Sequence, residues 1–368
     1  MTTAAPSPLS QPLPSPATGD RLAVLTGGLL DDLHAKTAHG VLRYGSRDVV
    51  CVVDDVHAGR GVAEVVPFCE RDVPVVADVV AAHALGANVL LVGIAPAGGK
   101  LTPAWRAALV TAIELGMDVE AGLHTTLAGD PEIAAAAAAR GVRIRDLREA
   151  PSGLDVPEGP QYRVAARVVH SVGSDCAIGK MSVTLELDRA ARNRGLRSVF
   201  VATGQTGIAI SGWGLAVDHV ISDFIAGAAE RLVREGAERG DLLWVEGQGS
   251  LLHPAYSGVT LGLLHGSAPD ALILCHKAGS TRIDGYPQTP IPPLPDVVVA
   301  YETAVGWVRP AKVVAIALNT ADLDDAAARL AVSAAAEQTG LPTDDVVRFG
   351  PDRLLEAVLA ATAAVPIA

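Results

Sequence analysis

Aromatic residues are scarce in this sequence of 368 residues: Phe, Trp and Tyr together make up 4%. Hydrophobic residues of all types make up 49%, so we expect large cores built mainly from Val, Leu, Ile and Ala. A chain of this length is expected to form two domains. The formal net charge of −12 argues against a nucleic-acid partner.

Cysteine is also rare, and its spacing is informative. The four cysteines (Cys51, Cys69, Cys176 and Cys275) form no CxxC pair, and the ten histidines show no HExxH pattern. We therefore expect neither a disulfide framework nor a structural zinc site, and a reducing compartment.

The sequence pattern predicts neither a signal peptide nor a membrane span. Residues 1–19 are rich in Pro and Ser and lack the basic start and apolar core of a signal peptide, so they predict a disordered tail. No apolar run reaches the length of a membrane span. The sequence thus predicts a soluble, cytoplasmic protein without a membrane partner.

Strand and helix patterns alternate from about residue 20 onward, which predicts an α/β fold with mostly parallel sheets. Residues 150–160 contain three prolines and two glycines, so we predict a linker at 151–160 between domains at 20–150 and 161–368. In the second domain we predict strands at 164–170, 198–203, 242–246, 271–275, 296–301 and 312–318. In the first domain, Asp130 is predicted to cap a helix that continues to Arg140.

The most informative segment is residues 173–180, GSDCAIGK, which joins an apolar strand pattern to a helical pattern. Such a loop directs backbone N–H groups, the positive end of a helix and a lysine at one anion. It therefore predicts a site for a di- or triphosphate. The predicted contact residues are Gly173, Ser174, Asp175, Cys176, Gly179, Lys180, Met181 and Ser182.

This loop departs from the common GxxxxGK[ST] pattern in two ways. Five residues separate Gly173 from Gly179, a spacing that resembles the GTDTxxGKT loop of dethiobiotin synthetase. Met181 also stands where a magnesium-binding Ser or Thr is expected. Without that hydroxyl, the sequence supports phosphate binding better than phosphoryl transfer.

Two acidic residues are candidate metal ligands. Glu246 follows the apolar run Leu242–Val245, and ligands of open α/β sheets bind at the carboxyl ends of strands. It could hold Mg²⁺ or activate a water molecule, or it could cap a nearby helix. Asp223 is the second candidate, with a role as helix N-cap equally open.

Other polar residues follow predicted strands and are candidates for substrate or base recognition. Each has an alternative as an ordinary turn or solvated loop. The candidates for substrate binding are Thr203, Gln205, Lys277, Arg282 and, in the first domain, Lys36 and Arg43. Asn319, at the end of the last predicted strand, is a candidate for contact with a purine base, although Asn also favours turns.

Together, the segments GSDCAIGKM, VEGQGS, ATGQTG and DFIAGAAE resemble the D-glutamate N-acetyltransferase (DgcN-like) family. AKTAHGVLRYG and HKAGSTRIDGYP extend the resemblance over about residues 21–360. The resemblance implies a Rossmann-like N-terminal domain and a P-loop domain related to dethiobiotin synthetase. It also implies acetyl transfer from acetyl-CoA to the amine of an acidic D-amino acid.

On this interpretation the P-loop and Lys180 hold cofactor phosphates, and Glu246 is the general base for the amine. The basic candidates would bind substrate carboxylates, and backbone N–H groups at Gly247 or Gly249 would stabilise the oxyanion. The alternative is an ATP- and Mg²⁺-dependent ligase or cyclase, with the metal held by Asp223 and Glu246. A third possibility is a nucleotide-sensing or scaffold protein. P-loop proteins of this type commonly dimerise, so we expect a homo-oligomer.

Overall fold

The computed structural model describes residues 13, 17, 19–69, 71–94, 101–159 and 163–365. The prediction of a disordered tail at 1–19 falls mainly outside these residues, as does the end of the predicted linker. No helix among the described residues is both long enough and apolar enough to cross a bilayer.

Fourteen strands are found among the described residues. In chain order they are β1 (Arg21–Leu25), β2 (Asp48–Val53), β3 (Val75–Val76), β4 (Val89–Val92), β5 (Asp118–Ala121), β6 (Ile144–Asp146), β7 (Arg167–Gly173), β8 (Ser198–Val201), β9 (Leu242–Val245), β10 (Ala271–Lys277), β11 (Arg282–Ile283), β12 (Tyr286–Pro290), β13 (Lys312–Asn319) and β14 (Thr343–Asp344).

The α-helices of the same residues are α1 (Lys36–Tyr44), α2 (Val62–Val65), α3 (Val79–Ala84), α4 (Pro103–Glu114), α5 (Pro131–Arg140), α6 (Lys180–Asn193), α7 (Gln205–Ser211), α8 (Ile225–Arg239), α9 (Ser257–Ser267), α10 (Leu294–Gly306), α11 (Asp325–Thr339) and α12 (Asp352–Ala361). The predicted start of α5 is confirmed, because the Asp130 side chain accepts the N–H groups of Glu132 and Ile133.

The N-terminal unit contains Leu13–Ala150 together with Gly204–His219. Its six-stranded sheet has the order β3-β2-β1-β4-β5-β6, with every neighbouring pair parallel. This is the strand order of the Rossmann fold. All four residues of β4 are buried, as expected for a parallel strand covered on both faces.

The second unit contains Pro151–Thr203 and the chain from Val220 on. Its parallel sheet has the order β14-β13-β10-β7-β9-β8, and β11 and β12 form a separate antiparallel hairpin. Apolar residues of α6 and α12 pack on one face of the sheet, and those of α9, α10 and α11 pack on the other. Both units are thus α/β structures with parallel sheets, as predicted.

One prediction about this architecture was wrong. The predicted strand at 296–301 lies inside α10, whose buried residues Leu294, Val297, Tyr301 and Val305 recur every three or four positions. The run Val297–Val299 concealed this helical period. The segment Gly204–His219 lies within the predicted second domain, and by its contacts it groups with the N-terminal unit, where α7 packs against α1.

Candidate functional site

The glycine-rich loop begins where β7 ends, in the middle of the second sheet. β7 lies between β9 and β10, and the loop after its last residue, Gly173, leads directly into α6. Ala177 and Gly179 have positive φ angles of 53° and 107°. Gly179 adopts this conformation at little cost because it has no Cβ atom. The chain therefore curls tightly just before α6 begins.

The backbone N–H groups of this curl are available to a ligand. Among the residues that the structure describes, the N–H groups of residues 177–182 donate to no protein acceptor. The first turn of a helix necessarily leaves such groups unpaired, and here the preceding loop adds more of them. An anion with several oxygen atoms can accept many of these hydrogen bonds at once.

Lys180 places a cation beside these N–H groups. Its side chain is buried, and its Nζ atom donates to the carbonyl oxygen of Asp175 at 2.7 Å. Burial lowers the pKa of Lys180, and nearby groups that include Glu246 oppose this effect. A buried ammonium whose hydrogen-bond partner is a neutral carbonyl is well placed to bind a phosphate oxygen.

Two glycines make room for the Lys180 side chain. A Cβ atom at Gly173 would lie 3.1 Å from Lys180 Cδ, and one at Gly247 would lie 3.0 Å from it. A Cβ at Gly247 would also lie 1.8 Å from the carbonyl oxygen of Ser171. Glycine is therefore required at 247, where the chain after β9 passes close to β7.

Neighbouring strands hold the loop in place. The Ser174 hydroxyl lies 2.7 Å from Nδ1 of His276, at the end of β10. Asn319, the last residue of β13, donates from its amide to the carbonyl oxygen of Ile178 at 3.2 Å and accepts the N–H of Ala321. Asn319 thus braces the loop, and its contact with a purine base stays a prediction.

Glu246 follows β9 and is buried in a polar network. One carboxylate oxygen accepts the N–H of Thr203 at 3.0 Å, and the Thr203 hydroxyl donates to the Glu246 carbonyl oxygen at 2.7 Å. Gln248 donates from its amide to the same hydroxyl at 3.1 Å. The network orients the Glu246 carboxylate. Thr203 is fully buried and contacts Glu246. Direct substrate binding by Thr203 stays a prediction.

The two predicted metal ligands differ in environment. Asp223 is exposed in the 3-10 helix Ser222–Phe224, whereas Glu246 is 4% exposed. Their joint binding of Mg²⁺ stays a prediction. The backbone N–H groups of Gly247 and Gly249 were predicted to stabilise the oxyanion. Gly247 already donates its N–H to the Ser171 hydroxyl. The Gly249 N–H has no acceptor among the described residues and is the better candidate.

The two basic candidates in this unit lie near its surface. Lys277 forms an ion pair with Asp322 at 2.7 Å. Arg282 donates to the carbonyl oxygen of Pro287, within the hairpin of β11 and β12. Lys277 is partly exposed and Arg282 is exposed. Their role in substrate binding stays a prediction.

The other three substrate-binding candidates lie in the N-terminal unit. Lys36 is exposed at the start of α1, and the guanidinium of Arg43 lies 5.1 Å from the centre of the Tyr44 ring. Gln205 begins α7 and packs against Gly122 of the same unit. Gln205 and Thr203 belong to different compact units, and substrate binding by Gln205 stays a prediction.

In the N-terminal unit, the loop that follows β1 is held by hydrogen bonds to Asp54. Asp54, after β2, accepts hydrogen bonds from the hydroxyl of Thr26 and the N–H groups of Gly28 and Leu30. Its other oxygen lies 2.9 Å from Nδ1 of His57. In Rossmann folds an acid near this position binds a ribose. Here the carboxylate is occupied by the loop that follows β1.

The sequence did not predict a cluster of three possible metal ligands that includes two P-loop residues. A carboxylate oxygen of Asp175, Sγ of Cys176 and a ring nitrogen of His253 all lie within 4.8 Å of one another. The His253 ring stacks on Tyr256 with a centroid distance of 4.5 Å and meets the edge of Tyr286 at 5.1 Å. The available signal was the position of His253 in the loop that follows the Glu246 strand end.

The comparisons with known proteins agree with this fold. Residues 155–355 match DUF1611_C, a domain of unknown function described as a P-loop domain, and residues 55–150 match DUF1611_N, described as a Rossmann-like domain. A crystal structure of a DUF1611 family protein from Anabaena variabilis is 45% identical with a TM-score of 0.85, and the match covers 93% of this chain and 99% of that one.

Two curated proteins named D-glutamate N-acetyltransferase are also similar. The one from Tritonibacter scottomollicae is 40% identical over 76% of this chain and 83% of its own length. The one from a Pseudoalteromonas species is 36% identical over 74% of this chain and 81% of its own length.

The fold is that of a two-domain α/β protein with a Rossmann-like domain and a P-loop domain. The chain belongs to the DUF1611 family, and the resemblance to D-glutamate N-acetyltransferases that its motifs indicated is confirmed. It is an enzyme of the N-acyltransferase class.

Proposed function

We propose that this enzyme transfers the acetyl group of acetyl-CoA to the amine of D-glutamate or a similar acidic D-amino acid. The names of the two curated relatives support the reaction and the acceptor. The observation that supports the donor is the P-loop. Among the described residues, the N–H groups at 177–182 have no acceptor, Lys180 of the same segment is buried, and acetyl-CoA carries phosphates that such groups bind.

The residues present fit a phosphate group. The glycines at 173 and 247 keep space beside Lys180 that a Cβ atom would fill. Residues 177–182 would donate backbone hydrogen bonds to a phosphate, and Lys180 would exchange its carbonyl partner for a phosphate oxygen. Met181 supplies no hydroxyl for Mg²⁺, which suits a cofactor that is held and not hydrolysed.

Glu246 is the proposed general base. An ammonium group must lose a proton before its nitrogen can attack a thioester, and a positioned carboxylate can accept that proton. Thr203 and Gln248 hold Glu246 in one orientation. The N–H of Gly249 would donate to the oxyanion that forms at the acetyl carbonyl. Lys277 and Arg282, in the same unit as Glu246, are the proposed partners of a substrate carboxylate, and substrate binding by Lys36 and Arg43 stays a prediction.

All four cysteines are free thiols, as expected in a reducing compartment, so we propose a cytoplasmic location. Assembly as a homo-oligomer stays a prediction.

The reaction is tested by incubating the purified chain with D-glutamate and acetyl-CoA and detecting N-acetyl-D-glutamate and free CoA by mass spectrometry. L-Glutamate in place of D-glutamate tests the stereochemistry. A parallel reaction with ATP and Mg²⁺ tests the ligase alternative. Product formed only with acetyl-CoA supports the proposal. Phosphate release that depends on an acidic substrate, without any acetylated product, contradicts it.

A further inference from the structure

The cluster of Asp175, Cys176 and His253 combines three types of metal ligand in one place. A carboxylate oxygen, a thiol sulfur and an imidazole nitrogen lie within 4.8 Å of one another, so a single ion could contact all three after small side-chain movements. Among the described residues, no other group of three such side chains is this close. The cluster is formed within the second unit by the P-loop and the loop before α9.

Asp175 and Cys176 each keep an electron pair that an ion could use. The Asp175 oxygens accept one N–H group each, from Cys176 and Asp284, and a carboxylate oxygen can accept more than one bond. The Cys176 thiol has no hydrogen-bond partner among the described residues. The thiol is half-buried, whereas Asp175 and His253 are buried.

His253 would have to exchange a hydrogen bond for a metal ion. Its Nδ1 atom accepts the N–H of Ala255 at 3.1 Å, so Nδ1 carries the lone pair and the proton of the neutral ring lies on Nε2. A cation at Nδ1 would replace one backbone hydrogen bond. Tyr256 and Tyr286 fix the plane of the ring, which limits the loss of side-chain freedom on binding.

We propose that Asp175, Cys176 and His253 form a binding site for a divalent transition metal of the zinc type. Thiolate and imidazole ligands favour Zn²⁺ over Mg²⁺ and Ca²⁺, which prefer oxygen. Binding releases the Cys176 thiol proton to solvent and forms one metal–sulfur bond, without any change of oxidation state.

An ion at this site would supply positive charge to the P-loop. Met181 supplies no ligand for the Mg²⁺ that usually accompanies a bound nucleotide. An ion held by Asp175 and Cys176 would add positive charge to the same loop through different ligands. Three protein ligands also leave a coordination position open for a water molecule or an anionic ligand, as in catalytic zinc sites. The proposal does not depend on acetyl transfer, because the metal binds the protein alone.

The test uses the full chain without a polyhistidine tag, freed of metal by a chelator and titrated with Co²⁺ in the absence of acetyl-CoA. We expect one Co²⁺ per chain and the near-ultraviolet charge-transfer absorption of a cobalt–thiolate bond. Cys176→Ser should abolish this absorption, and Cys69→Ser, at a buried thiol of the N-terminal unit, should retain it. Zn²⁺ should displace the Co²⁺.

A second variant, His253→Gln, helps to distinguish loss of a metal ligand from misfolding of Cys176→Ser. We expect Cys176→Ser and His253→Gln to keep the circular dichroism spectrum of the wild type. Each should weaken Zn²⁺ binding by more than the roughly 10–100-fold that loss of an outer-shell partner costs. Absence of the thiolate absorption in the wild type, or equal Zn²⁺ affinity in folded Cys176→Ser, would overturn the proposal. Acetyl transfer measured separately on the metal-free chain keeps this result apart from the proposed function.

Discussion

The ammonium group of Lys180 donates a 2.7 Å hydrogen bond to the backbone carbonyl oxygen of Asp175, in the loop that precedes it. The lysine therefore binds back to its own loop, while the N–H groups of residues 177–182 have no acceptor in the part of the chain that the structure describes. A phosphate would compete for this ammonium with a neutral carbonyl, and a charged acceptor forms the stronger bond. This exchange is the structural basis of the proposed cofactor site.

Replacement of Glu246 by Gln tests the general base. The amide oxygen can still accept the N–H of Thr203, so the network around the side chain is kept. The amide cannot accept a proton, and we expect kcat to fall by about 10²–10⁴-fold with little change in the affinity for acetyl-CoA. Steady-state kinetics with both substrates measures this. A variant that weakens only cofactor affinity would assign Glu246 to binding.

Replacement of Gly247 by Ala tests the close approach of two chain segments. The new Cβ would lie 1.8 Å from the Ser171 carbonyl oxygen, so the backbone must shift. We expect a loss of about 1–3 kcal/mol in the free energy of unfolding, the usual cost of overpacking. Gly258→Ala in α9 is the matched control, because its Cβ would meet no atom within 4 Å. Equal stability of the two variants in urea unfolding would refute the steric argument.

Replacement of Asp54 by Asn tests the hydrogen bonds that hold the loop after β1. Burial alone would raise the pKa of Asp54, but hydrogen bonds from Thr26, His57 and Leu30 outweigh it and lower the pKa below 3.8. A lowered pKa in the folded state stabilises the protein above the unfolded-state pKa, and this stabilisation is lost as the pH falls through the folded-state pKa.

We therefore expect Asp54→Asn to cost about 1–3 kcal/mol of unfolding free energy at neutral pH, because the amide leaves buried donors unpaired. The difference from the wild type should shrink as the pH falls below 3.8. Urea unfolding of both proteins across this pH range measures the effect. A difference that is the same at every pH would show that the charge of Asp54 contributes nothing.

Much of the second unit could be predicted from local sequence. The P-loop was recognisable because strand, glycine-rich turn and helix follow one another within a short segment, and Glu246 because it follows a four-residue apolar strand. The strand predicted at 296–301 failed because three consecutive valines suggest a buried strand, whereas in α10 Val297 is buried and Val299 is exposed.

The parts that could not be predicted depend on contacts between distant segments. His253 reaches Cys176 only because the loop before α9 folds back to the P-loop, and no local pattern encodes that return. Gly204–His219 leaves its sequence neighbours to join the N-terminal unit, where the hydroxyls of Thr37 and Thr206 lie 3.0 Å apart. Periodicity predicts the secondary structure of such a segment, but not the elements it packs against.

Calorimetric titration of acetyl-CoA into the wild type and Lys180→Ala tests the cofactor site most directly. Lys312→Ala is the control, since Lys312 is exposed at the start of β13. We predict that Lys180→Ala binds acetyl-CoA about 10–100-fold more weakly, the loss expected for a hydrogen bond to a charged group, while Lys312→Ala binds like the wild type. Unchanged affinity in folded Lys180→Ala would contradict the claim that this loop holds the cofactor phosphates.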